Sequence, residues 1–357
     1  MSRRGFFGTT KTQRHTDTKK GRIKEPLFAV FLCVFVSLCL CGSLNTCVMK
    51  IAFVFPGQGS QYRGMGREAA EKFAVARAAF DEADAALDFP ISRLCFDGPE
   101  EDLKLTENTQ PAILTVSTAL FRVLGEKGVR PDFVAGHSLG EYSALVAAGA
   151  LTLAEAVTLV RRRGQYMQEA VPVGVGAMAA LLGLDLSAAQ SVCERAAQGQ
   201  VVSIANLNSP GQVVIAGNHQ AVERAVKLSE QAGAKRAIRL QVSAPFHCAM
   251  MKPAEDRLSA DLDRSSFSDL RCPLITNVDA QLIRTGGEAR SALKRQVSRP
   301  VLWQETIERL LDEGVRAFVE VGPGKVLLAL IRSMSKSVTM LNVEDEKSVE
   351  NVFHALL

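Results

Sequence analysis

The sequence predicts an α/β protein, with a large domain on a parallel sheet and a smaller βαββαβ unit inserted into it. Three observations predict this. Short apolar runs recur along the chain, each followed by a glycine-containing turn and then by residues at helical spacing, as parallel strands with helical crossovers require. One of these runs, from Phe133, passes through Gly136-His137-Ser138-Leu139-Gly140, a strand-to-helix turn with a serine at its apex. Residues 175–246 then change to the order strand, helix, two strands, helix, strand within about seventy residues, the order of a ferredoxin-like unit.

A chain of 357 residues with 47% apolar and 22% charged residues can bury one large domain or two of ordinary size. The formal charge of +4 is unevenly spread. Residues 1–48 hold eight Lys or Arg against two acids, which leaves the rest about −2 with no basic stripe for nucleic acid. Within that first stretch, residues 27–41 are apolar apart from Ser37; this run of fifteen is shorter than the roughly 18 residues a membrane span wants. A signal or anchor, an organellar import sequence, and a translated leader that the functional protein lacks all fit. The last is favoured because Met49-Lys50 opens directly onto an apolar strand, so residues 1–48 are set outside the fold. Four cysteines lie in this stretch. Cys95, Cys193, Cys248 and Cys272 lack metal-ligand spacing and read as small buried hydrophobes in a reducing compartment, with no metal expected.

From Met49 the elements follow in order. Ile51–Phe55 is a strand, Pro56-Gly57-Gln58-Gly59 a loop, and Met65–Leu87 a helix with Phe73, Ala76, Phe80 and Ala83 on one face. Pro111 suits a first helical position, and Ile113, Val116, Leu120 and Leu124 continue that helix to Gly128. The serine strand and its helix come next, and Gly149 stops that helix. Thr152-Leu153-Ala154-Glu155 is a capping box for another. The inserted unit, 175–246, separates two parts of the large domain, 49–174 and 247–357. The second part has a helix after Pro253, a strand at Leu274–Asn277, a helical region containing Gln296, an amphipathic helix from Trp303 and a strand at Ala317–Val321. A Gly322-Pro323-Gly324 turn into a helix, a strand at Thr339–Val343 and a last helix close the chain.

The glycines around Ser138 allow a sharp turn that holds its hydroxyl in the open, and backbone N–H groups from Leu139 onward can receive negative charge developing on a carbonyl oxygen. Acyl transfer suits such a site; a purely structural turn is the alternative. A serine nucleophile needs a base, and five histidines are present. His15 lies in the leader, His354 in the last turn and His219 on an exposed helix, while His137 points away from its neighbour Ser138 and bonds locally. His247, just past the inserted unit, remains. No Asp stands at a triad position, so a Ser-His dyad oriented by a backbone carbonyl or an amide is expected. In Arg161-Arg162-Arg163 the first two side chains turn to solvent, whereas Arg163 falls within about 60° of the buried face of its helix. No acid lies at helical spacing on that face, so a substrate carboxylate is favoured as its partner over an ordinary basic surface.

Taken together, Phe55-Pro56-Gly57-Gln58-Gly59-Ser60-Gln61, Gly136 to Ser143, Arg163-Gly164 with Met167-Gln168, Asn206 to Gln212, Pro245-Phe246-His247-Cys248 and Glu320 to Lys325 resemble the malonyl-CoA:acyl carrier protein transacylase family of the bacterial FabD type. The resemblance runs in order from Met49 nearly to the end and leaves out residues 1–48. It implies an α/β-hydrolase-like large domain with a ferredoxin-like insert. It also implies a cytoplasmic monomer without cofactor or metal, whose partners are malonyl-CoA and acyl carrier protein and which serves fatty-acid synthesis. Its ping-pong mechanism runs through Ser138 activated by His247, with the amides of Gln58 and Leu139 holding the oxyanion. Arg163 matches the arginine that pairs with the malonyl carboxylate, Gln296 the amide near the histidine, and Asn206 joins the substrate-binding set. Phe246 and Leu139 fit the pattern that accompanies malonyl rather than methylmalonyl use, with ordinary core the alternative for Phe246. A serine hydrolase or thioesterase, and an inactive module that only binds acyl carrier protein, are the rival functions.

Overall fold

The computed structural model describes residues 49–357; the expectations for residues 1–48 lie outside the described residues. Strand β1 (Lys50–Phe55) is followed by helices α1 (Arg67–Lys72), α2 (Ala74–Leu87), α3 (Ile91–Asp97), α4 (Glu100–Lys104) and α5 (Thr106–Glu126). Then come β2 (Phe133–Gly136), α6 (Gly140–Ala147) and α7 (Leu153–Ala170). The middle of the chain runs β3 (Gly176–Leu182), α8 (Leu186–Ala197), β4 (Val202–Ser209), β5 (Gln212–Asn218), α9 (His219–Gln231) and β6 (Arg236–Arg239). The rest is α10 (Lys252–Arg264), β7 (Leu274–Ile275), β8 (Leu282–Ile283), α11 (Gly286–Gln296), β9 (Val301–Leu302), α12 (Trp303–Asp312), β10 (Val315–Val321), α13 (Val326–Met334), β11 (Thr339–Val343) and α14 (Glu346–Leu356).

Two sheets result. The larger has the order β11-β10-β1-β2-β7-β8 and is parallel except for its last pair. Its central strand β1 is apolar without alternation because both its faces are covered. Phe53 and Phe55 enter the core that contains α2, α5 and α7, while Ala52 and Val54 pack with Trp303, Ile307, Leu327 and Ile331 on the other side. The expected parallel sheet therefore ends in an antiparallel edge: β7 turns straight back into β8, with Thr276 N–H bonded to Gln281 O at 3.0 Å, too short a connection for a crossover.

The second sheet has the order β6-β3-β5-β4-β9, antiparallel except where β9 joins β4. Ala179, Leu181 and Ile215 pack beneath α8 and α9, and Met178, Ala180, Val214 and Ala216 face the main core. Strand β9, which patterning did not reveal, comes from beyond residues 175–246 and borders this sheet.

Two local expectations change. The helix expected over Met65–Leu87 is broken at Phe73, whose backbone is extended (φ −122°, ψ 119°) and whose carbonyl opens α2 by accepting from Ala76 N and Arg77 N. The break lets Ala69 and Ala70 on α1, and Ala76, Phe80 and Ala83 on α2, be buried together. Pro111 lies inside α5 and not at its start. The helix begins earlier because its first turn is held by the preceding one, through Asn108 Nδ2 to Asp102 O (2.9 Å) and Thr109 Oγ1 to Leu103 O (2.5 Å). This early start matters for the site. A Cβ at Gly164 would stand 2.6 Å from Glu107 Cα, so glycine brings α7 against the beginning of α5 and Arg163 against Gln110.

At the end of β10, buried Glu320 accepts from Leu327 N (3.1 Å) and Leu328 N (2.9 Å), capping the first turn of α13. Burial pushes its pKa up from 4.5 to about 7. The native state thus holds this proton more tightly than the unfolded chain, and the carboxyl's contribution to stability falls as pH rises through that window. Glu320→Gln is expected to flatten this fall. Denaturant midpoints of both proteins between about pH 4.5 and 7 measure it, and parallel curves would contradict it.

Candidate active site

The nucleophile elbow is forced by close backbone packing. A Cβ at Gly136 would lie 1.9 Å from the carbonyl carbon of Gly140, and one at Gly140 would lie 2.0 Å from Phe55 O. Ser138 itself takes φ 52°, a left-handed conformation that costs a non-glycine residue of order 1–3 kcal/mol and must be held by its surroundings. Asn277 holds it. Its Oδ1 accepts from Ser138 N at 2.7 Å, and its Nδ2 donates to Gly136 O at 2.7 Å, so one amide clamps both sides of the turn.

His247, also at positive φ (58°), sets Nε2 2.7 Å from Ser138 Oγ, and its Nδ1 lies 2.9 Å from Gln296 O. A carbonyl oxygen can only accept, so Nδ1 carries the proton and Nε2 is free to take one from the hydroxyl. Burial, and then the charge of Arg163, push the His247 pKa down to about 3, which leaves the imidazole neutral. The orienting group is a backbone carbonyl, one of the two kinds that the missing triad acid led us to expect. His137 is bonded to Asn208 Oδ1 at 2.9 Å and packed edge-on against Trp303; these partners stand far along the chain, where a local bond was expected.

Arg163 is 1% exposed. Its Nη1 donates to Gln110 Oε1 (2.8 Å), and its Nη2 donates to Gln296 Oε1 (2.9 Å) and Ser138 Oγ (3.1 Å). Among the described residues no carboxylate contacts it, and burial works against its charge. A guanidinium in that position beside a nucleophile is suited to an incoming anionic group.

Ser138, His247 and Arg163 border a cavity of about 250 Å³, together with Gln58, Leu139, Asn206 and Phe246. The backbone N–H groups of Gln58 and Leu139 have no acceptor among the described residues. The Gln58 loop reaches the elbow because Gly57 has no Cβ, which would otherwise stand 2.4 Å from His137 O. Phe246 is 8% exposed, packs into the core and forms part of the cavity wall. Gln296 does not border the cavity. It is fully buried behind the wall and reaches His247 through its carbonyl and Arg163 through its side chain. Sequence reasoning named neither Asn277, Gln110 nor a role for Glu141. The available signals were weak: Glu141 lay within the serine motif, and a buried acid just inside a helix is unusual. No cluster able to hold a metal ion occurs among the described residues.

A hydroxyl on a strand-to-helix elbow, a neutral imidazole at hydrogen-bond distance and two free amides beside them define an acyl-transferring class of enzyme. Residues 52–352 match the family model described as acyl transferase domain. The chain is 48% identical over 308 residues to the malonyl CoA-acyl carrier protein transacylase of Bacillus subtilis (strain 168), covering 86% of this chain and 97% of that protein. The solved structure of the malonyl CoA-acyl carrier protein transacylase from Coxiella burnetii superposes with a TM-score of 0.85 at 45% identity, over 86% of this chain and 98% of that one. A malonyl-transacylase solved in complex with a type II PKS acyl-carrier protein superposes with a TM-score of 0.84 at 46% identity, over 86% and 99%. The chain belongs to the malonyl CoA-acyl carrier protein transacylase family.

Proposed function

We propose that this protein is a malonyl-CoA:acyl carrier protein S-malonyltransferase of fatty-acid biosynthesis that works through a malonyl-serine intermediate. The observation that carries the reading is the buried Arg163 guanidinium 3.1 Å from the Ser138 hydroxyl. In the first half-reaction Ser138 Oγ attacks the thioester carbonyl carbon while His247 Nε2 takes its proton. The carbonyl oxygen becomes an oxyanion between the amides of Gln58 and Leu139. The C–S bond breaks, and His247 returns the proton to the departing CoA sulfur. In the second half-reaction the phosphopantetheine thiol of acyl carrier protein gives its proton to His247 and attacks the ester, and Ser138 leaves with that proton. Throughout, Arg163 holds the distal carboxylate of the malonyl group; an acetyl group would leave the buried cation unpaired. Asn206 and Phe246 bound the acyl site, with Phe246 limiting room for an α-methyl branch.

The finer fold reading accompanies this function. The larger sheet is assigned as α/β-hydrolase-like and residues 175–246 as a ferredoxin-like insert, a reading supported by the antiparallel order β6-β3-β5-β4. Acyl carrier protein is the acceptor, as the complex of the related malonyl-transacylase suggests. No cofactor is required by the steps above, and the folded body acts as a cytoplasmic monomer; no described helix is long and apolar enough to cross a membrane.

One experiment tests the function. The protein is incubated with malonyl-CoA, and its intact mass and the Ser138 peptide are examined before and after addition of holo acyl carrier protein. A stable malonyl ester that the carrier discharges is the expected result. Rapid release of free malonate would make the protein a hydrolase, and absence of any adduct would make it a binding module.

A further inference from the structure

Resting on the malonyl-transfer reading, we propose that Glu141 is a positioning residue for acyl-group recognition: by holding the side-chain amide of Gln296, its carboxylate fixes the Arg163 guanidinium beside Ser138. Glu141 lies in the first turn of α6 and is 1% exposed. A carboxylate is not buried without compensation, and among the described residues no cation contacts this one directly. Its Oε2 accepts instead from Gln296 Nε2 at 2.7 Å and from Asn277 N at 3.2 Å.

The consequence falls on Gln296. Its NH2 group faces three acceptors, Glu141 Oε2 at 2.7 Å, Ser138 O at 3.0 Å and Asn277 Oδ1 at 3.5 Å, while its carbonyl oxygen faces Arg163 Nη2 at 2.9 Å. These partners assign the amide orientation. Turned through half a rotation, the amide would put its oxygen against a carboxylate and two further oxygens, and its NH2 against a guanidinium, so every contact would repel. At 2.7 Å the Glu141 contact is the shortest of the three, and it therefore contributes most to the preference. Gln296 Oε1 and Gln110 Oε1 are the two side-chain carbonyls that hold the ends of the Arg163 fork. If the amide is freed, Nη2 loses one of these anchors.

The histidine is insulated from this change, because His247 bonds the backbone carbonyl of Gln296 and not its side chain. Loss of the Glu141 acceptor oxygen should therefore weaken recognition of the malonyl carboxylate more than the proton transfer at Ser138. Global destabilisation would behave differently: it would lower the active fraction and so the apparent kcat, leaving KM and the choice between acyl groups as they were.

The test compares wild type, Glu141→Ala and Glu141→Gln for transfer from malonyl-CoA and acetyl-CoA to holo acyl carrier protein. Glu141→Ala is expected to raise KM for malonyl-CoA and lower the malonyl-to-acetyl ratio of kcat/KM by roughly 10- to 100-fold, the scale of a misplaced positioning contact. Glu141→Gln, whose amide oxygen can still accept from Gln296, is expected to recover most of both. Should the alanine variant not fold, Glu141→Asp serves the same purpose, since its carboxylate is one methylene too short to reach Gln296 and should show the same loss of discrimination. An active wild type whose discrimination survives in these variants, or an alanine defect that glutamine does not relieve, would overturn the role of Glu141 alone. A wild type inert toward malonyl-CoA would overturn the function and this role with it.

Discussion

Ser138→Ala is expected to remove malonyl transfer by roughly four to six orders of magnitude, the scale on which a covalent nucleophile is missed when its base and oxyanion donors remain. The substitution suits the test because serine and alanine both carry a Cβ, so the left-handed backbone at Ser138 is no more strained and the Asn277 clamp on its amide is kept. The rest of the pocket also persists, since His247 remains held by Gln296 O and Arg163 by Gln110 and Gln296. What disappears is the hydroxyl that His247 Nε2 meets at 2.7 Å and can deprotonate. Intact-mass measurement should find no malonyl adduct, and a discontinuous assay should find no malonyl carrier protein above background. Substantial transfer by the alanine variant would mean that the carrier thiol attacks malonyl-CoA directly, without an ester on the enzyme.

Arg163→Ala is the second large effect, and it should be selective. Removing one partner of a buried charge pair costs about 2–5 kcal/mol, so malonyl transfer is expected to fall by roughly 30- to 4,000-fold. Acetyl transfer has no carboxylate to lose and should hold steady or rise, which collapses discrimination between the two thioesters. Lysine should not rescue it, because one ammonium cannot hold Gln110, Gln296 and a substrate carboxylate with the planar fork of a guanidinium. Parallel kcat/KM measurements on malonyl-CoA and acetyl-CoA decide the matter; an unchanged ratio would remove Arg163 from acyl recognition.

These expectations depend on different kinds of information. The serine elbow was legible because its glycines answer a local demand: their missing Cβ atoms make room for backbone 1.9 to 2.4 Å away, and any chain making that turn needs them. The inward direction of Arg163 was legible from helical periodicity for the same reason, since α7 is regular from its capping box onward. The helix boundaries near Phe73 and Pro111 were not legible, because burial against neighbouring elements outweighed the local pattern. Elimination could single out His247, but not its 2.7 Å approach to Ser138 across 109 residues.

By itself, then, the amino-acid order determined an α/β chain with a serine at a glycine-flanked turn, a histidine eligible to act as its base and an arginine on a buried face. These follow from covalent geometry and from periodicities of two and 3.6 residues, which act over a few neighbours. Only tertiary structure decided that Asn277 clamps the elbow, that Gln296 stands behind the cavity with its carbonyl on His247 and its amide between Glu141 and Arg163, and that Gln110 completes the cation's cradle. Those contacts join residues 49 to 155 positions apart. Hydrogen bonds of that reach leave no periodic trace along a chain, because they are set by how helices and sheets pack and not by the residues on either side.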